Sequence, residues 1–255
     1  MRLFVAIRPP APVLAHLEAA LVAVRGAGRG AAPPGAGPLR WVPEPDRHIT
    51  LAFLGEIPDG YLDEVTDGLG RAVRRVPPFD LALRGAGLVD RRVLWVGCAG
   101  DTAALAGLMA DLADAADQLV PARHADDRVR SRAHLTVARV RDRARARGTG
   151  HGTGHAAGQG TGHSAGRPRS GGPDPAEVVR ALAVYHGPTW TVDRAVLVRS
   201  RLGAGPGGGP LYADLATLPS GSAGSAPGGS PGSRPGPDGT LWQDDGHGAA
   251  PRTGE

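Results

Sequence analysis

His48-Ile49-Thr50-Leu51 and His134-Leu135-Thr136-Val137 repeat one arrangement: an imidazole, an apolar residue, a hydroxyl and a second apolar residue. In an extended strand residues two apart share a face. Each segment therefore presents a histidine beside a threonine, while Ile49 and Leu51, or Leu135 and Val137, anchor the opposite face in a core. Two such strands side by side supply two imidazoles and two hydroxyls. That set suits in-line displacement at phosphorus, where a neutral imidazole takes a proton from the entering oxygen and a charged one donates to the leaving oxygen. Both protonation states are accessible near neutral pH, and the hydroxyls can donate to the non-bridging oxygens where charge accumulates. The residues alone do not say which histidine is the acid.

A bare His-x-Thr is a weak signal, since His151-Gly152-Thr153 repeats it inside a glycine tract. Positions 48 and 134 differ because each lies in an apolar run of strand length. Further elements must bring those runs together. Leu3 to Ile7 reads as a strand, followed after Pro9-Pro10 by Val13, Leu14, Leu17, Leu21 and Val24 at helical spacing. Leu39–Val42 reads as a short strand, and Pro58-Asp59 opens a helix carrying Leu62, Val65, Leu69 and Val73. Phe79–Leu83 and Val93–Cys98 read as strands paired across a turn at Gly85–Asp90. Asp101 is the expected N-cap of a helix with Leu105, Leu108, Leu112 and Leu119 on one face. After the second motif, Val178, Val179, Leu182 and Tyr185 predict a short helix. Trp190 to Val198 predicts one long strand with a register change, and Leu211–Leu218 a final edge strand.

The 255 residues include forty glycines, twenty-five of which fall in two stretches at 141–175 and 203–255, together with eleven of the twenty-four prolines. The expectation is one domain over residues 1–218, interrupted by a disordered Gly/His-rich insertion at about 141–175 and followed by a disordered Gly/Ser/Pro-rich tail over 219–255. Lysine is absent, so all 29 basic residues are arginine, which excludes lysine nucleophiles, Schiff bases and the P-loop lysine. Cys98 is the single cysteine, so neither an intrachain disulfide nor a cysteine metal cluster is possible. A reducing, cytoplasmic setting is expected. The N-terminal apolar run is too short for a signal peptide, and no stretch reaches membrane-spanning length.

The sequence resembles the 2H phosphoesterases, and within them the RNA 2',3'-cyclic phosphodiesterases, also called 2'-5' RNA ligases. The likeness is carried in family order by RLFVAIRPP, RWVPEPDRHITLAFLGE, RVLWVG, AHLTVAR, TWTVDRAVLVRSRLG and GPLYADL. It implies an α+β, bilobal fold with two antiparallel sheets related by pseudo-two-fold symmetry, helices outside and a central cleft holding both motifs. It further implies that His48 is the proton donor and His134 the proton acceptor. The activity it implies is opening of 2',3'-cyclic phosphate ends of RNA to 2'-phosphomonoesters without metal or cofactor, with reversible 2'-5' ligation. RNA ends, tRNA fragments among them, would be the partner of a monomeric enzyme. The rival classes are a phosphodiesterase of small cyclic nucleotides and a nucleotide-binding module without catalysis. Two departures stand out, Ser131 where the family usually has an aromatic residue and Ala133 where it usually has proline.

Thr50 and Thr136 are the expected phosphate contacts. Arg139, three residues after Thr136, matches the family's arginine and is either a phosphate contact or a surface ion pair; Arg130 is a weaker substrate candidate. Trp41 could stack on a base or pack at a strand end. Tyr212 is read as packing, and His16 and His124 as surface. His151, His155, His163 and His186 could ligate a metal, but a glycine chain has no preformed geometry for it, and no metal site is expected.

Overall fold

The computed structural model describes residues 1–26, 37–120, 133–141 and 172–222. One contact-rich unit spans Met1–Ala223; a second, Gly224–Glu255, lies outside the described residues. The strands are β1 Arg2–Ile7, β2 Leu39–Trp41, β3 Ile49–Glu56, β4 Phe79–Val89, β5 Val93–Gly100, β6 His134–Val140, β7 Trp190–Val192, β8 Arg194–Arg201 and β9 Leu211–Pro219. The helices are α1 Ala11–Gly26, α2 Leu62–Arg74, α3 Thr102–Leu119 and α4 Pro175–Leu182.

Each helix has a local reason to be where it is. In α1 the residues Val13, Leu14, Leu17 and Leu21 form the buried stripe. Asp63 and Glu64 open α2 while Arg71 and Arg74 close it, matching the helix dipole. Asp101 caps α3 by accepting from the Ala104 N–H at 2.9 Å, as its position in the sequence predicts. Asp174 caps α4 from the Ala176 N–H at 2.7 Å, and Pro175 occupies the first helical position, where its missing N–H costs nothing.

All strand pairs are antiparallel, in the order β7-β4-β5-β6-β3-β1-β8-β9, with β2 alongside β6. The order has two four-stranded halves, β3-β1-β8-β9 and β6-β5-β4-β7, which meet through the pair Ile49↔Leu135. The two implied sheets are thus two lobes of one continuous sheet. In β1, Leu3, Val5 and Ile7 enter the large core that the helices cover, while Phe4 and Ala6 face the other way and join Val196 and Val198 in a smaller cluster.

Two expectations are corrected. The β4–β5 turn falls at Asp90–Arg92 rather than Gly85–Asp90: Asp90 and Arg91 take φ of 50° and 54°, whereas Gly85, at φ 62°, forms a bulge within β4. The long strand from Trp190 to Val198 is instead two strands broken at Asp193, with β7 paired to β4 and β8 paired to β1 and β9. Because β7 lies at one end of the order and β8 next to the other, the sheet curls back on itself. At the C-terminal side the ordered bonding runs past β9: Ser220 N–H donates to Asp193 O at 2.9 Å and Gly221 N–H to Val76 O at 3.1 Å.

Candidate active site

Both His-x-Thr segments bury their apolar residues fully or nearly so, with Ile49, Leu135 and Val137 at 0% and Leu51 at 4% exposure, and leave His48, Thr50, His134 and Thr136 half-buried on the opposite face. The pair Ile49↔Leu135 is antiparallel. It sets His48 toward the Thr136 side of the seam and Thr50 toward the His134 side, the arrangement a local two-fold produces.

A β-bulge follows each motif at the same place. On β3 the register passes from Ala6↔Thr50 to Val5↔Ala52, leaving Leu51 unmatched. On β6 it passes from Trp95↔Thr136 to Leu94↔Ala138, leaving Val137 unmatched. The extra residue inverts the alternation that follows. Arg139, which strict period two would turn toward the core, therefore returns to the histidine face, and its charge acts on both His48 and Tyr212. Phe53 holds the matching place on β3; it is 39% exposed, and its ring lies 5.9 Å from that of Phe4.

His48 is held from several sides. Its Nδ1 lies 2.7 Å from the Asp46 carbonyl oxygen, so Nδ1–H donates there and Nε2 is the nitrogen left for the cleft. Phe4 packs at 4.9 Å between ring centroids, and Tyr212 stands edge-on at 5.1 Å. Burial is the main cause that pushes the His48 pKa down to about 4; Arg8 and Arg139 act in the same direction, and the Asp46 carbonyl and Asp214 oppose them. Burial likewise raises the Tyr212 phenol. Behind His48, Arg47 is 2% exposed; it ion-pairs with Glu18 on α1 and donates from Nε to the Val42 carbonyl at 3.2 Å. Burial raises the Glu18 carboxyl, yet its bonds to Arg47 and Arg25 outweigh this and hold it below its ordinary value.

The structure thus brings together His48, Thr50, His134, Thr136 and Arg139. Trp41 lies apart: it pairs with the fully buried Ala138, packs against the core and is covered by the Arg25 guanidinium at 4.3 Å, which is the packing alternative. Arg130, Ser131, His124, His151, His155 and His163 lie outside the described residues. His16 is on α1 with Nδ1 3.1 Å from the Tyr185 hydroxyl, and His186 is exposed. Among the described residues no three His, Cys, Asp or Glu side chains converge as a metal-binding group. Sequence reasoning missed Arg8, whose guanidinium meets Asp214 at 2.6 Å, and Tyr212 as a neighbour of His48. It also missed Trp95, whose ring centroid is 6.0 Å from that of His134. The period-two run Phe4-Ala6-Arg8 carried the signal for Arg8.

A family model described as the 2'-5' RNA ligase superfamily matches residues 15–149, more than half of the 255 residues. The chain belongs to the 2'-5' RNA ligase superfamily. Curated members resembling it include an RNA 2',3'-cyclic phosphodiesterase of Geobacillus stearothermophilus, 36% identical over 103 residues, which are 39% of this chain and 32% of that protein. One from Thermotoga maritima is 39% identical over 61 residues, 22% of this chain and 33% of that protein. The matched region is thus about a third of the length of each of these two relatives. Among solved structures, a Thermus thermophilus protein aligns with TM-score 0.58 and 26% identity over 86% of this chain and 97% of its own. Escherichia coli LigT complexed with 3'-AMP aligns with TM-score 0.53 and 22% identity over 87% of this chain and 98% of its own. The superfamily's LigT-like fold, α+β and antiparallel, is therefore the fold of this chain. No helix among its described residues is long and apolar enough to cross a membrane.

Proposed function

We propose that the protein opens 2',3'-cyclic phosphate ends of RNA to 2'-phosphomonoesters, with His48 and His134 as its acid–base pair. The observation that carries this reading is the seam at Ile49↔Leu135, which sets two His-x-Thr strands back to back on one face. The chemistry follows from that placement. An oxygen of water attacks phosphorus and gives its proton to His134, while the P–O3' bond breaks and O3' takes a proton from Nε2 of His48. Thr50, Thr136 and Arg139 hold the non-bridging oxygens, where charge must be stabilised. With a ribose 5'-hydroxyl in place of water, the same steps form a 2'-5' linkage, and their reversal opens it. Neither direction calls for a metal in these proton transfers.

His48 is neutral in the free protein at neutral pH, because burial holds its pKa at about 4. To act as donor it must gain its proton with the substrate. The phosphate anion supports this by neutralising Arg139 and Arg8 and by adding a negative charge beside the ring. Both motifs come from one chain, which favours a monomer as the working form; RNA ends, tRNA fragments among them, are the proposed partner and the cytoplasm the proposed setting.

The deciding experiment is incubation with an oligonucleotide ending in a 2',3'-cyclic phosphate, followed by identification of the product. A 2'-monoester is expected. A 3'-monoester, or opening of mononucleotide cyclic phosphates alone, would place the protein in another class.

A further inference from the structure

Trp95 is half-buried, yet it belongs to neither apolar cluster. Its register partners put it on the histidine face, opposite Thr136 on one side and Gly87 on the other. Gly87 is what lets the indole lie there: a Cβ at that position would come within 2.2 Å of Trp95 Cζ2 and 2.6 Å of Cε2. Gly97, the partner of His134, borders the ring less closely: its Cβ would meet the Arg84 carbonyl oxygen at 2.9 Å before Trp95 Cζ3 at 3.3 Å. One surface of the ring thus rests on the backbone of β4, and His134 stands beside it at 6.0 Å between centroids. The other lobe offers its own aromatic, Phe53, beside Phe4, whose ring in turn packs on His48.

We propose that Trp95, lying across Gly87 next to His134, is a stacking platform for the base of the nucleoside joined through its 5'-oxygen. The inference rests on the reading above. In-line geometry puts the 5'-oxygen opposite the departing O3'. The oxygen that loses its proton to His134 is therefore on the Trp95 lobe, and the ribose whose O3' takes a proton from His48 is on the Phe53 lobe. A flat apolar surface beside the reacting oxygen is the feature by which proteins hold unpaired bases, and it tolerates every base because each has a π face.

The test uses ligands that cannot turn over. In 3'-deoxyadenosine 2'-monophosphate, and in the 2'-5'-linked dinucleotide of 3'-deoxyadenosine, the neighbouring hydroxyl needed to open the linkage is missing. Titration calorimetry of the full chain should show the dinucleotide binding roughly tenfold or more tightly than the mononucleotide, the size of one stacked base. Trp95→Ala should bring that ratio toward one, and so should Gly87→Ala, which lifts the ring without removing it. Phe53→Ala, on the other lobe, should keep the ratio. Trp95→Leu, apolar but unable to stack, replaces the alanine variant if that fails to fold. A ratio near one in the parent, no binding of either ligand, a ratio preserved without Trp95, or its loss in Phe53→Ala would each overturn the proposal. Failure of the underlying reading is seen separately, as no monoester formed from a cyclic-phosphate oligonucleotide.

Discussion

Ile49 pairs with Leu135 in antiparallel register at the seam between the two four-stranded lobes, and both side chains are completely buried. Each is flanked by a histidine and a threonine on the opposite face. The seam therefore fixes the spacing of the candidate acid and base by backbone pairing, which is stiffer than any contact between long side chains.

Loss of either imidazole should be felt in chemistry and not in folding. His48→Ala and His134→Ala are each expected to slow opening of a cyclic-phosphate oligonucleotide by roughly 10²–10⁴-fold in single-turnover assays. Thr50→Val and Thr136→Val should cost less, since each removes one hydrogen bond to a phosphate oxygen. The double histidine variant should be little slower than either single one, because the two act in one step.

The depressed pKa of His48 links folding to pH. Its imidazole is neutral in the fold down to about pH 4 but takes up a proton near 6.5 once unfolded. Over that window the unfolded chain binds more protons, so stability is full above pH 6.5 and declines as the pH falls toward 4, by up to about 3 kcal/mol. The stability of the parent relative to His48→Ala should be constant above pH 6.5 and fall progressively between pH 6.5 and 4 in urea denaturation. Parallel curves would show that His48 is not the group responsible.

Substrate should carry a proton in with it. If the phosphate anion charges His48, binding of 3'-deoxyadenosine 2'-monophosphate at pH 7 takes up protons, and the apparent binding heat varies with the ionisation enthalpy of the buffer. That variation should vanish in His48→Ala. Equal heats in all buffers for the parent would show that the bound phosphate does not charge His48.

Glu18 and Arg47 lie behind the histidine face, and their ion pair ties α1 to the residue preceding His48. Breaking a buried pair typically costs about 3–5 kcal/mol. Glu18 is 30% exposed, so Glu18→Gln should fall at or below the low end of that range, about 2–3 kcal/mol by urea denaturation. Combining Arg47→Met with Glu18→Gln should recover part of the loss, since the fully buried Arg47 charge is then gone and only the partly exposed Arg25 has lost its partner.

Removing residues 148–171 together with everything after 222 should leave the unfolding midpoint and the turnover of the parent. A cut after 219 is different, because Ser220 and Gly221 bond to the backbone at Asp193 and Val76. Those two residues carry the backbone bonding beyond the boundary that glycine content suggests.

Period-two spacing made the histidine and threonine face legible, since alternation is a property of one strand. The position of Arg139 was not legible on that ground. Alternation from Thr136 points it inward, and the bulge at Val137 that turns it back exists only against β5. Trp95 and Tyr212 escaped for a related reason: each is one apolar residue in an apolar run, and its place beside a histidine comes from pairing with a distant strand. The break at Asp193 is equally long-range. Its flanking residues suit one strand, and only their partners, β4 on one side and β1 on the other, separate them. At Gly85 a local turn signal was spent on a bulge.

The position of β1 between β3 and β8 also bears on how the chain is made. Arg2–Ile7 leaves the ribosome well before the partner along its second edge, Arg194–Arg201, because everything from α1 to β7 is made between them. At typical elongation rates that edge stands unpaired for on the order of ten to forty seconds. Every residue in the glycine-rich stretch ahead of α4 lengthens the wait, so nascent chains of this protein present an apolar strand edge to chaperones, or to one another, until β8 arrives.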